Sequence, residues 1–205
     1  MKLTGENYMV GLISNVGESI KFGWSVNAKR IGRWILLLIF SIIPIVNFIA
    51  EGAFMKIFNG EEPEFKGNVG SCFIRGLLAF VAGLIYCIIP GIIGGIICVF
   101  NATAGYVVGI ILGILAALLF MPGFAAFARG GKFGSFFKFG DIFASIGKLG
   151  WGKYILAWIV LFIVCFILGI LCAIPLVGII IAILLFLLTP VIESAFVKYW
   201  ANLLE

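Results

Sequence analysis

Three uncharged apolar runs divide the chain, at residues 34–50, 77–128 and 154–192. They hold 17, 52 and 39 residues without a single Asp, Glu, Lys, Arg or His. A membrane-crossing helix needs about 20 apolar residues. The second and third runs are each long enough for two helices, the first for one helix or two short ones. Ahead of each run, polar and apolar positions alternate with a helical period. Lys138, Asp141, Ser145 and Lys148 form a polar stripe opposite Phe136, Phe139, Phe143 and Ile146. Glu18, Lys21 and Ser25 oppose Ile13, Val16, Ile20 and Trp24. Asn68, Ser71 and Arg75 oppose Phe65, Val69 and Cys72. These preludes predict amphipathic helices lying in the membrane interface, aromatic face down and lysines up. Helices packed on the end of the protein's own bundle would show the same pattern.

The chain thus reads as three divergent copies of one unit, at residues 13–58, 64–128 and 133–200, within a single membrane domain over 1–205. Ser19-Ile20 before Gly23-Trp24 is echoed by Ser145-Ile146 before Gly150-Trp151. Each run also contains an Ile-Pro, at 43–44, 89–90 and 174–175. Proline lacks the N–H and clashes with the preceding turn. Its neighbours here are turn-tolerant: Asn47, Gly91, Gly94, Gly95 and Gly178. Pro44 and Pro175 lie near the midpoints of their runs and read as hairpin tips. In the middle run a break is expected at Pro90–Gly95, with the hairpin turn between 90 and 105; Asn101-Ala-Thr-Ala-Gly105 is a second candidate.

Composition agrees with a membrane protein. The 205 residues are 63% hydrophobic and 11% charged, against about 25% charged in a soluble domain. The first 33 residues show no cleavable signal pattern. Lys and Arg mark the cytoplasmic side. Residues 1–33 hold five, 51–76 three, 129–153 five and 193–205 one. If each run is a hairpin, all fourteen share one side. The expected fold is therefore an all-α integral membrane protein of three helical hairpins and five to six membrane helices. The first pair is short enough to be re-entrant. Both termini and the charged connections are expected on the cytoplasmic side of the cell membrane.

Candidate chemistry is sparse. Histidine is absent, which removes His-based triads, His proton relays and the zinc-peptidase motif. The five cysteines form no CxxC pair. They read as small hydrophobes at lipid depth, with Cys165 and Cys172, seven apart, as the alternative soft-metal pair. Arg129-Gly-Gly-Lys132 lacks phosphate-loop spacing. Glu51 and Glu193 each follow an apolar run directly. Interface snorkelling explains them; the sharper reading is a pair of equivalent carboxylates which, with Asn47 and Asn101, line a polar cavity between hairpins. Gly105, Gly109 and Gly113 repeat every four residues and predict a close-packing helix face. No catalytic, metal-binding or cofactor-binding residue is expected, nor is nucleic-acid binding.

Ile43-Pro-Ile-Val-Asn-Phe48, Gly60-Glu-Glu-Pro63, Arg75-Gly-Leu and Gly83-Leu-Ile-Tyr-Cys-Ile-Ile-Pro90 together resemble the archaeal and bacterial membrane proteins grouped as domain of unknown function 4013. The likeness covers most of the chain and is strongest from about residue 30 to 95. It implies a small multi-spanning protein and brings no catalytic residues. The functional expectation is a non-catalytic scaffold, accessory or lipid-interacting protein. Its partners would be membrane lipids, a second copy or another membrane protein. A channel or transporter for a small or lipophilic solute is the alternative, and a lipid-modifying enzyme the third reading.

Overall fold

The computed structural model describes residues 5–65, 67–173 and 177–204. All regular structure among them is helical: α1 (Gly5–Ala28), α2 (Ile31–Ile42), α3 (Pro44–Phe54), α4 (Val69–Phe100), α5 (Ala102–Ala128), α6 (Phe139–Leu149), α7 (Trp151–Cys172), α8 (Val177–Leu187) and α9 (Thr189–Leu203). Short 3-10 turns at Met55–Asn59 and Phe133–Phe137 follow α3 and precede α6. Three helices, α4, α5 and α7, are long and apolar enough to cross a membrane, with 32, 27 and 22 residues. Even the shortest reaches about 33 Å at 1.5 Å per residue, against a hydrocarbon core of about 30 Å. The pair α8 and α9 passes the same test jointly, but is bent by 69°. At twelve residues, α2 is too short to cross alone.

The prolines do not act alike. Ile43 is extended (φ −95°, ψ 111°) and separates α2 from α3, which starts at Pro44. The expected break at Pro90–Gly95 is absent: α4 runs straight through Pro90. A helix that passes through proline gives up one backbone bond, whereas a break at lipid depth strands several N–H and C=O groups. The turn instead comes at Asn101, inside the expected interval. Asn101 is extended (φ −153°, ψ 109°), and its side chain accepts the Ala104 N–H at 2.9 Å, capping α5. Ile174 and Pro175 lie outside the described residues.

The chain divides into two compact units, Ile45–Ser145 and Met1–Pro44 with Ile146–Glu205. In the first, α4 and α5 lie antiparallel and meet backbone to backbone. A Cβ on Gly94 would stand 2.9 Å from the Gly109 Cα, and Gly105 presses on Cys98. Two members of the predicted glycine face are thus used; Gly113 has nothing within 4 Å. The start of α4 crosses α3 more tightly still. Gly52 meets the Cys72 carbonyl and Gly76 meets that of Phe48, so each glycine admits the other helix's backbone. An aromatic cluster closes the same end. Phe136, fully buried, lies 5.0 Å from the Phe127 ring and 5.6 Å from Phe120. Its carbonyl accepts the Tyr86 hydroxyl at 2.5 Å. Arg75 donates to the carbonyls of Phe127 (2.6 Å) and Ala128 (3.0 Å), closing the C-terminus of α5.

In the second unit α1 lies antiparallel to α9. Gly23 admits the Val191 carbonyl and Ala195. Asn27, fully buried, donates from Nδ2 to the Gly23 carbonyl (2.8 Å), the Pro190 carbonyl (3.2 Å) and Ser194 Oγ (3.2 Å). Asn15 Nδ2 donates to the Tyr199 carbonyl (3.1 Å), and its Oδ1 accepts from Asn202 (2.9 Å). Arg33 reaches the Val26 carbonyl at the end of α1. Tyr154 and Trp158 of α7 pack on the buried Trp200 of α9, at 5.7 and 5.2 Å.

The sequence pattern anticipates two faces on each prelude; the structure gives α1 and α6 three. On α1 the buried face is Leu12, Ser19, Gly23, Val26 and Asn27, while Ile13, Ile20 and Trp24 of the apolar stripe are exposed. On α6, Ile142 and Ile146 are buried, and Phe139 and Phe143 are exposed. The middle prelude is not a separate helix at all: from Val69 it is the first part of α4. Small side chains explain the difference. Ser19, Gly23, Cys72 and Gly76 carry little hydropathy signal, yet they let helix backbones approach closely.

Candidate functional site

Four residues were candidates for a polar cavity: Asn47, Glu51, Asn101 and Glu193. The structure brings two of them together. Asn47 and Glu51 lie one turn apart on α3 and therefore share a face. The Asn47 Oδ1 is buried with no hydrogen-bond partner. Glu51 is largely buried, and that burial raises its carboxyl above the usual carboxylate range. An unpaired acceptor thus stands next to an acid biased towards its protonated form, which would be a donor. The pair is suited to holding a proton or a neutral polar group.

Asn101 stands apart from that pair. Asn101 is exposed, with its side chain engaged as the α5 cap. It lies 25 residues along α4 from the Gly76 crossing with α3, about 38 Å at 1.5 Å per residue. Glu193 is half-buried on α9, in the other compact unit. Its neighbour Ser194 is fully buried, donates to the Pro190 carbonyl at 2.7 Å and accepts from Asn27. Cys165 and Cys172 are both exposed on α7. Among the described residues, no group of three or more His, Cys, Asp or Glu gathers.

Residues outside the candidate set make the strongest polar contacts. Asn27 and Arg75 fix helix ends, and neither stands out by composition. Arg75 had one signal: it is the last charge before the uncharged residues 76–128. A side chain so placed faces either headgroups or an exposed helix terminus, and it takes the terminus.

Burial of Glu51 carries a pH consequence. An acid whose folded pKa is raised binds more protons folded than unfolded. Its stabilisation is complete below the unfolded carboxylate pKa and is lost as pH rises through the folded value. Glu51→Gln is therefore expected to raise the Tm by a few degrees at pH 7.5. Below the ordinary carboxylate range, where wild-type Glu51 is already neutral, it should leave the Tm unchanged. Melting curves of the purified protein at both pH values check this, and an equal shift at both would remove the ionisation argument.

No curated protein matches the chain, and no solved structure does. A family profile does, over residues 35–177, from α2 into the start of α8. That span holds α3 with its polar pair, the α3–α4 crossing, the glycine contact of α4 with α5, and all of α7. By that match over most of its length, the chain belongs to the family described as protein of unknown function DUF4013.

Proposed function

We propose that this protein is a non-catalytic membrane scaffold or accessory subunit. One observation carries the reading. The two longest spans, α4 and α5, meet backbone to backbone at Gly94 and Gly109, with a Cβ on Gly94 only 2.9 Å from the facing Cα. Contact that close gives rigidity and leaves no passage between the pair. The outer faces are aliphatic and aromatic: Ile88, Ile92, Ile96, Ile110 and Ile114 are all more than half exposed, as suits contact with lipid or a neighbouring membrane protein.

The topology proposed with it is three hairpins in the cell membrane, five to six membrane helices, and a re-entrant α2–α3. All basic connections and both termini lie on the cytoplasmic side. The gathering of every Lys and Arg outside the three runs supports it. So does a second likeness between copies. Glu51-Gly-Ala-Phe-Met-Lys56 is matched by Glu193-Ser-Ala-Phe-Val-Lys198 and, more distantly, by Phe124-Ala-Ala-Phe-Ala-Arg129. The helices bearing the first two receive Gly76 and Gly23 respectively, each at the same kind of close crossing. Cysteines introduced at Asn101 and Lys132 should label from opposite sides of intact cells, Asn101 from outside. Labelling of both from one side would overturn the topology. Purification in mild detergent should recover a homo-oligomer or a fixed membrane partner, and a strict monomer without one would overturn the scaffold reading.

The buried pair on α3 favours a second reading, a channel or transporter for a small solute. Solute flux in proteoliposomes that is lost in both Asn47→Ala and Glu51→Gln would establish it over the first.

A further inference from the structure

We propose that α6 is seated in the headgroup layer of an anionic lipid leaflet. Phe139 and Phe143 enter the acyl-chain boundary, and Lys138 and Lys148 face lipid phosphates. Three features of α6 lead there. Its buried side chains are Ile142 and Ile146, which are 2% and 0% exposed. Phe139 and Phe143 flank them on one side and are each 46% exposed. Asp141, Ser145 and Lys148 flank them on the other side and are exposed too. The helix therefore presents a half-exposed aromatic edge and a wet polar edge at once, the arrangement of an interfacial helix.

Charge selects the occupant. Residues 129–153 hold five basic side chains against the single acid Asp141. The Lys138–Asp141 pair is 3.8 Å apart with both side chains at least 67% exposed, so it holds Lys138 only weakly. Excess positive charge beside exposed Phe matches an anionic bilayer surface; a neutral protein groove would leave the lysines without counter-charge. Position agrees as well. The long apolar helix α7 starts two residues after α6 ends, and its first residue, Trp151, is 46% exposed. Lysines on such a helix extend towards phosphate while their stems cover apolar surface. The inference rests on reading α7 as a membrane span, and the test separates the two.

The test uses the full chain in nanodiscs of mixed phosphatidylcholine and phosphatidylglycerol. A photo-crosslinking amino acid replaces Phe143 in one sample and Phe166, 60% exposed on α7, in another. Adducts are identified by mass. Position 143 is expected to capture lipid, with phosphatidylglycerol enriched severalfold over its bulk share. Lys138→Glu combined with Lys148→Glu should return that ratio to the bulk value without changing capture at 166. Adducts from 143 to a partner protein in place of lipid would overturn the proposal, as would phosphatidylglycerol at its bulk share. Lipid captured at 166 but not at 143 defeats the α6 inference alone. Absence at both positions defeats the membrane reading of α7 with it.

Discussion

Gly76→Ala is expected to cost more than about 3 kcal/mol and to leave little folded protein. The new methyl would overlap the Phe48 carbonyl, a backbone atom of α3 that no rotamer change can move. The reciprocal change, Gly52→Ala, drives a methyl into the Cys72 carbonyl of α4 and should be as damaging. Neither strain is relieved locally, because the contact lies between two helix backbones, with Phe48 held against Phe73 and Phe80 at 5.9 and 5.1 Å. A stability of about 5–15 kcal/mol leaves small margin for such a loss. Gly91→Ala is the control. It lies on α4, with nothing within 4 Å of its would-be Cβ. Helix propensity alone predicts no loss there, and a gain of about 0.5–1 kcal/mol. Thermal aggregation monitored by size exclusion should show Gly76→Ala and Gly52→Ala shifted far down and Gly91→Ala level with or slightly above wild type. A tolerated Gly76→Ala would mean that α3 and α4 do not cross there.

Arg75→Ala should follow closely, at about 2–4 kcal/mol. The guanidinium donates to two carbonyls at the end of α5 and lies 5.0 Å from the Phe127 ring centroid. Those carbonyls have no partner within their own helix, and a cation at a helix C-terminus is favoured by the dipole. Asn59 donates to the Ala128 carbonyl as well, at 3.3 Å, and the Gly130 N–H to that of Phe127, at 3.1 Å, so one bond to each carbonyl survives the substitution. Arg75→Lys should recover only part of the loss: an ammonium lacks the planar fork that serves two acceptors and stacks on a ring. The damage should also be local. Limited trypsin digestion is expected to cut Arg75→Ala faster at Arg129 and Lys132, which follow the loosened helix end. Unchanged cleavage with an unchanged Tm would show that Arg75 faces water rather than α5.

Hydropathy revealed the membrane character, the helical content and the uncharged turn near Asn101, because each depends on long-range averages of polarity. It did not reveal which proline breaks a helix. Pro44 and Pro90 share an Ile on the N-terminal side, and the outcome depends on what the flanking helix would lose at its depth in the bilayer. Nor did it reveal which face of each amphipathic helix pairs. Large apolar residues such as Trp24 and Phe143 dominate the periodic signal, yet the packed faces carry Gly23, Ser19 and Ile146. In lipid, helix pairing follows closeness of approach more than apolarity. Asn47 and Glu51 were legible as polar residues beside an apolar run, and their shared face follows from helical spacing. The isolation of Asn101 was not legible, because it depends on α4 continuing unbroken to Phe100.

The pairing of α1 with α9 also orders events in synthesis. Residues 45–145 are contiguous and can pack as soon as they are made. Helix α1 cannot: beyond their own helix, Asn15 and Asn27 find partners in α9, more than 160 positions downstream. While the hairpin of α4 and α5 forms, α1 must wait with the Asn27 bonds to Pro190 and Ser194 unmade and Gly23 bare. The ribosome thus sets a delay during which this helix is open to chaperones, lipid headgroups or a neighbouring nascent chain.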